Sequence, residues 1–319
     1  DERPLTMTDI EAPEPGPGYV RIRVTACGVC HTDLHIAEGD LPLPKLPLVP
    51  GHQIVGLIER LGAAVNGVGL GDRVGAPWLY STCGQCRYCV QGDENLCDAP
   101  RFTGYDVDGG YADYVVVPEA SAYPVPAGFD SAAATSLLCG GVIGYRALRV
   151  CGLHPGEHIG LVGFGNSAHV TLQMAKHWGC RTSVFTRAEE HRRLAEELGA
   201  DWIGSIEDSP GQELDRAVIF APAGALVPAT LRWLRKGGTL ALAGITMSQI
   251  PAMNYDLIYG ERTVRSVANS THQDVRELLQ LAAEIPIRTD VVTFPLDAAN
   301  DVLLRMKRSE LRGGAALIP

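Results

Sequence analysis

Four cysteines fall within fifteen residues, Cys83, Cys86, Cys89 and Cys97, with the spacing C-x2-C-x2-C-x7-C. Four thiolates so spaced can surround one tetrahedral Zn²⁺, the short loops turning the backbone around the ion. An Fe–S cluster and a nucleic-acid-binding zinc loop share similar spacings. Against the second, Asp93, Glu94 and Asp98 outweigh Arg87 and Arg101 in this loop. Unligated, four clustered thiols would be an oxidation liability. A second set is dispersed: Cys30, His52 and Cys139 lie more than a hundred residues apart from first to last. Three such donors can hold one Zn²⁺ and leave its fourth position open, the plan of a catalytic rather than a structural site. Taken singly, each also reads as a small buried cysteine or a satisfied core histidine. A third motif, Gly163-Phe164-Gly165-Asn166-Ser167-Ala168, has the pattern G-x-G-x-x-A.

The elements that must position these groups differ between the two halves of the chain. Residues 19–24 alternate apolar and polar, which predicts a half-buried strand delivering Cys27 and Cys30 to the end of a sheet. Cys27 reads as a buried small residue. The Pro-rich residues 41–50 predict an extended connection, and residues 54–58 and 71–74 predict short strands with glycine turns, giving an irregular β domain. Residues 141–148 have helical spacing, and residues 159–162 form a short apolar strand running directly into the glycine motif. A helix then runs to Trp178 and stops at Gly179. In that setting glycine lets the backbone approach a pyrophosphate, and the helix N-terminus supplies N–H donors. Strands at 181–185, 216–220, 239–243 and 261–267 alternate with helices at 189–198 and 225–234, the latter closed by Gly237-Gly238. This alternation predicts a parallel, doubly wound sheet. Further helices are expected at 273–283 and 296–307.

The end of the second strand of such a fold selects the cofactor, an acidic residue there favouring NAD. This chain has Thr186-Arg187 instead. A hydroxyl and a guanidinium suit a 2′-phosphate, so NADP is expected over NAD.

With 319 residues the chain exceeds one ordinary domain, and a net charge of −10 argues against nucleic acid or an anionic membrane as partner. No run of eighteen mostly apolar residues occurs; the apolar stretch 217–231 is broken by Pro222 and Pro228. Nine cysteines, an odd count with four clustered, favour metal binding in a reducing cytoplasm over a disulfide framework. An opening Asp in place of Met suggests that residues precede it, and no signal segment opens the chain.

Residues 28–35, Gly-Val-Cys-His-Thr-Asp-Leu-His, together with Gly51-His52 and Leu138-Cys139, closely resemble the zinc-containing medium-chain alcohol dehydrogenases, over nearly the whole chain. The resemblance implies a GroES-like catalytic domain (1–140 and 269–319) and a Rossmann dinucleotide domain (141–268), with the active site in the cleft between them. It implies one catalytic zinc on Cys30, His52 and Cys139, and one structural zinc, rather than an Fe–S cluster, on the four-cysteine lobe. Thr32 then takes the alcohol's proton, His35 passes it to solvent, His31 contacts cofactor phosphate, and Asp33 supports the zinc site. Gly163, Gly165, Asn166, Ser167 and Ala168 are expected at the cofactor pyrophosphate. Trp78, Leu79 and Tyr105 are expected on the substrate pocket wall, although core packing explains them equally well. A homo-oligomer, dimer or tetramer, is likewise implied.

Two departures stand out. Many relatives have Glu where Gln53 follows the ligand histidine, and an arginine where Gly314 stands, with Arg312 two residues earlier. The expected activity is reversible hydride transfer between a primary or secondary alcohol and a nicotinamide cofactor. Its rivals are an aldehyde reductase of aromatic-alcohol or polyol type, and a non-catalytic relative that binds zinc and nucleotide.

Overall fold

The first strand predicted from alternation runs further than the alternation does. A computed structural model, which describes residues 4–308 and 310–319, extends β1 (Tyr19–Val29) to the residue before Cys30. Strand β1 pairs antiparallel with β2 (Gln53–Leu61), whose first residue follows His52, so one ladder brings two of the dispersed donors to the same end. Next come β3 (Arg73–Ala76), β4 (Leu79–Ser81), β5 (Arg101–Phe102), β6 (Tyr114–Pro118) and β7 (Tyr123–Pro124). Strand β3 pairs with β2 and β7, and β6 pairs with β1. Strands β4 and β5 form a separate two-stranded ladder flanking the four cysteines.

The chain divides into two units. One holds the residues through Cys139 with Asn269–Pro319, the other Gly140–Ala268. The second unit contains β8 (His158–Val162), β9 (Arg181–Phe185), β10 (Trp202–Gly204), β11 (Leu214–Ile219), β12 (Leu234–Leu242) and β13 (Thr263–Ser266). All are parallel, in the order β10-β9-β8-β11-β12-β13. The order reverses between β8 and β9 on one side and β11 on the other, the topology of a doubly wound dinucleotide fold. All five residues of β8 are buried, as a strand covered on both faces requires. Val162, Phe185, Leu214, Ile219, Leu231 and Leu240 form the core of this unit. Back in the first unit, β14 (Val291–Pro295) runs parallel to β15 (Gly314–Ile318), and β15 closes antiparallel onto β1. There the core gathers Ile22, Val24, Cys27, Ile54, Ile58, Val74, Val117 and Leu317.

Several boundaries differ from expectation. The helix expected over 225–234 spans only Leu226–Leu231, and residues 234–238 open β12 instead of closing a helix. Leu234 is fully buried and pairs with Leu214, so burial beside β11 outweighs local helical preference. Strand β10, three residues long, has too little alternation to be seen in sequence. The expected 296–307 helix begins as a 3-10 turn (Leu296–Ala298) and becomes α-helical over Ala299–Lys307.

Candidate functional site

Cys30 caps the helix His31–Glu38, with extended backbone angles of −128° and 157°. The helix places Asp33 one turn in, facing back. Its Oδ2 accepts from the Cys30 N–H at 2.9 Å, while Oδ1 accepts from the Gly51 N–H at 3.2 Å and from His52 Nδ1 at 3.0 Å. Asp33 and His52 are respectively 0% and 1% exposed, so this carboxylate fixes both the tautomer and the direction of the imidazole. Gly51 has φ of 97°, and a Cβ there would lie 2.4 Å from the Tyr111 ring and 2.8 Å from Cys27 Sγ. Only glycine satisfies both the turn and the packing.

Cys139 arrives on a π-helical turn, Leu137–Gly141, that opens into the helix Val142–Cys151. Its neighbour Leu138 packs where a Cβ on Gly75 of β3 would otherwise stand, 2.7 Å away. The outcome is that the donor atoms of Cys30, His52 and Cys139 lie within 4.8 Å of one another. Cys30 Sγ and Cys139 Sγ are 3.8 Å apart. Two sulfurs each about 2.3 Å from a tetrahedral zinc are roughly 3.8 Å apart, so the pair already has the spacing of two zinc ligands.

His52 Nε2 is buried and has no hydrogen-bond partner. Hydrogen bonding from Cys139 holds the Cys30 thiol well below its ordinary pKa, whereas the same contact and burial push Cys139 up. Burial opposes charge on His52, but Asp33 and Cys30 outweigh it and lift the imidazole to about 10. Two thiols and a buried ring nitrogen thus converge on a point that favours positive charge. The donor set fits a zinc ion.

Thr32 is 6% exposed, with Oγ1 3.7 Å from Cys30 Sγ. His35 lies one turn further along the helix, 22% exposed, with Nδ1 2.8 Å from Asp40 Oδ2. His31 is exposed on the same helix. Trp78 meets His52 edge-on at 4.8 Å between ring centroids, stacks on Phe102 at 5.0 Å and tilts against Tyr105 at 5.9 Å. Trp78 and Tyr105 therefore belong to one aromatic group beside His52. Leu79, the next residue in the strand direction, is 3% exposed and sits opposite Phe102 in the β4–β5 ladder.

In the four-cysteine lobe all sulfurs again lie within 4.8 Å of one another. Cys86 and Cys89 sulfurs are 3.5 Å apart, Cys83 and Cys89 sulfurs 3.9 Å. Cys97 Sγ accepts from the N–H groups of Cys83 and Ala99, and Cys83 Sγ accepts from that of Cys86. Backbone amides, those of Cys89 and Asp98 foremost, draw Cys86 down to about 6. This lobe too fits a metal, with all four positions closed by protein.

In the second unit, Gly163 follows β8 with φ of 85°, and a Cβ there would come within 3.0 Å of Ala221. Gly165 caps the helix Asn166–His177 with no side-chain hydrogen bond, and a Cβ on it would project into open space. The first turn therefore offers N–H donors beside room that a side chain would fill, a cradle suited to a pyrophosphate. Asn166 and Ser167 are half-buried in that turn, and Ala168 is fully buried against the sheet. Thr186 follows β9 with its N–H on Gly204 O at 2.9 Å, and Arg187 is exposed beside it. Arg312 is engaged by Asp290, Nε to Oδ2 at 2.9 Å. Sequence reading passes over Tyr111, whose ring packs on Gly51; the Gly109-Gly110 pair before it, a sign of close backbone approach, is the signal that points there.

The profile of the alcohol dehydrogenase GroES-like domain matches residues 16–127, and that of the zinc-binding dehydrogenases matches residues 168–284. A probable alcohol dehydrogenase of Mycobacterium tuberculosis is 42% identical, over 100% of this chain and 94% of its own. Among solved structures, a cinnamyl alcohol dehydrogenase of Sorghum bicolor superposes with a TM-score of 0.90 at 27% identity, over 97% of this chain and 92% of its own. An acetophenone reductase of Geotrichum candidum, solved with NAD, superposes with a TM-score of 0.90 at 26% identity, over 98% and 93%. Two domain profiles and a full-length relative at this identity agree with the three-donor site and the glycine cradle: the chain belongs to the zinc-containing medium-chain alcohol dehydrogenase family.

Proposed function

We propose that the protein catalyses reversible hydride transfer between a primary or secondary alcohol and NADP, with Cys30, His52 and Cys139 holding the zinc. The observation that carries this reading is the convergence of the buried His52 ring with two sulfurs, all three donor atoms within 4.8 Å of one another. Zinc at that point supplies Lewis acidity, lowering the pKa of an alcohol oxygen or polarising a carbonyl in the reverse direction. The nicotinamide supplies or accepts the hydride. Asp33 keeps Nδ1 of His52 protonated and Nε2 turned to the metal. Thr32, buried beside Cys30, accepts the alcohol's proton as its hydroxyl gives up its own towards the cofactor ribose, and His35, half-buried and hydrogen-bonded to Asp40, stands at the exit of that relay to water. The aromatic group of Trp78, Phe102 and Tyr105 beside His52 favours alcohols with a flat apolar body, as the cinnamyl alcohol and acetophenone enzymes among the structural neighbours handle. The four-cysteine lobe holds a structural zinc.

Cofactor preference rests on Thr186 and Arg187, since no carboxylate stands at the end of β9 to accept from an adenine ribose. Initial rates with a cinnamyl-type aldehyde are expected to give a larger kcat/KM with NADPH than with NADH. Arg187→Ala is expected to narrow the ratio about tenfold, the loss of one charge-assisted hydrogen bond. A larger specificity constant for NADH in the unaltered enzyme refutes the preference.

A second copy of the chain is the proposed partner. Strand β13 is an edge strand with mostly exposed residues, and Ile250, Met253, Tyr255 and Tyr259 add exposed apolar surface in the same unit. Light scattering is expected to give two or four times the 34.1 kDa chain mass, and a monomer mass overturns this assignment. All nine cysteines are free, which suits a reducing, cytoplasmic compartment. Among the described residues no helix is long and apolar enough to cross a membrane.

A further inference from the structure

The loop after Asp108 is bound by its backbone to the loop that carries His52. Gly109 N–H donates to Val49 O at 2.7 Å, Gly110 N–H to Gly51 O at 2.9 Å and Tyr111 N–H to Pro50 O at 3.0 Å. Glycine is required for this approach: a Cβ on Gly109 would lie 2.0 Å from Gly51 O, and one on Gly110 2.9 Å from Cys27 Sγ. The pairing lays the Tyr111 ring over the Cα of Gly51, in the space a side chain at 51 would occupy.

Tyr111 is 9% exposed, and its buried hydroxyl makes no hydrogen bond of ordinary length and angle, Asp33 being the one acceptor that acts on it. A buried phenol usually finds an acceptor, and leaving one without costs stability. The first charge acting on it, after burial itself, is that of Asp33, and together they push its pKa well above the ordinary range. Asp33 has three N–H donors, from Cys30, Gly51 and His52, two of them on Oδ1 and one on Oδ2. A carboxylate has about four acceptor positions, so Oδ2 has one to spare.

We propose that Tyr111 is a positioning residue of the zinc site, its hydroxyl directed at the remaining acceptor position of Asp33 and thereby holding His52 in place. This rests on the reading that Cys30, His52 and Cys139 bind zinc. Its role is exerted through Asp33 and Gly51. The phenol closes a chain Tyr111, Asp33, His52 in which each group fixes the next, and the ring holds Gly51, whose N–H shares Oδ1 with the histidine.

The test is Tyr111→Phe in the whole chain, which keeps the ring over Gly51 and removes only the hydroxyl. Zinc affinity is read by competition with a chromophoric chelator, and the visible spectrum after cobalt(II) exchange reports the ligand field. Expected are an affinity about tenfold weaker at the dispersed site, a shifted cobalt band and an unchanged four-cysteine lobe. Asp33→Asn should weaken the site more, and adding Tyr111→Phe to it should change little further, because the pair acts as a unit. Unaltered affinity and cobalt spectrum in Tyr111→Phe, with or without a fall in Tm, overturn this proposal alone. Should the unaltered protein bind one zinc only, in the four-cysteine lobe, the zinc-site reading falls and this proposal with it.

Discussion

His52→Ala is expected to lower kcat/KM for alcohol oxidation by roughly a thousandfold or more, equivalent to about 4 kcal/mol of transition-state stabilisation. The size follows from the donor set. Cys30 and Cys139 bring sulfur, and His52 brings the one nitrogen, aimed by Asp33 and carried at the mouth of β2. With the imidazole gone, two sulfurs remain on one side of the point, and the nearby Asp33 is committed to the Cys30 and Gly51 amides. No described side chain among the candidate donors replaces the lost nitrogen, because the cluster contains those three residues only. Asp33→Asn should cost less, about 10- to 100-fold in metal affinity or activity, since it removes an orienting partner and leaves all three donors in place. Initial rates and zinc content by elemental analysis decide the matter. Turnover within tenfold of the unaltered enzyme in a variant that has lost one zinc equivalent would place the chemistry elsewhere.

How far the site can be read in sequence depends on how locally each part is built. The four-cysteine lobe is legible from spacing alone, because all its donors are separated by short loops and need no tertiary contact to meet. The glycine motif is legible because a strand, a turn and a helix follow one another in the order that defines it. Cys30, His52 and Cys139 are different: they converge only because β1 pairs with β2 and because a π-helical turn rotates Cys139 towards them, neither of which a periodicity can announce. Residue type makes their grouping possible, and the family resemblance is what selects it. Tyr111 is marked locally only by the Gly109-Gly110 pair before it, and its effect depends on the 109–111 backbone pairing with 49–51 across some sixty residues. The same physics explains the misplaced boundary at Leu234. Its segment is rich enough in helix formers to extend a helix, yet the pairing of the fully buried Leu234 with the fully buried Leu214 decides the outcome.

Cys97→Ser is expected to release the structural zinc and lower the Tm by roughly 5–10 °C, the shift that about 2–3 kcal/mol produces in a unit of this size. The lobe has little else to hold it. Its helix Arg87–Gln91 buries no residue, and Val90 and Leu96 are exposed rather than packed into a core. On the proposed reading, metal-bound thiols would take the place of an apolar interior, as in small zinc domains whose folding energy is largely binding energy. Cys97 is the most buried of the four, and its sulfur accepts two backbone N–H bonds, so serine there removes a ligand and disturbs the loop closure together. The loss should spread in one direction. Glu94, three residues before Cys97, accepts from the His272 N–H at 2.7 Å and so ties the lobe to the start of the helix His272–Glu284, where His272 also meets the Tyr123 hydroxyl of β7. Hydrogen exchange should accordingly quicken at 83–99 and in the first turn of that helix, while the amides of β8, β9 and β11 keep their protection. Loss of zinc without any change at His272 would show that the lobe is a free-standing appendage, and retention of both zinc equivalents would show that three thiolates suffice to hold the ion.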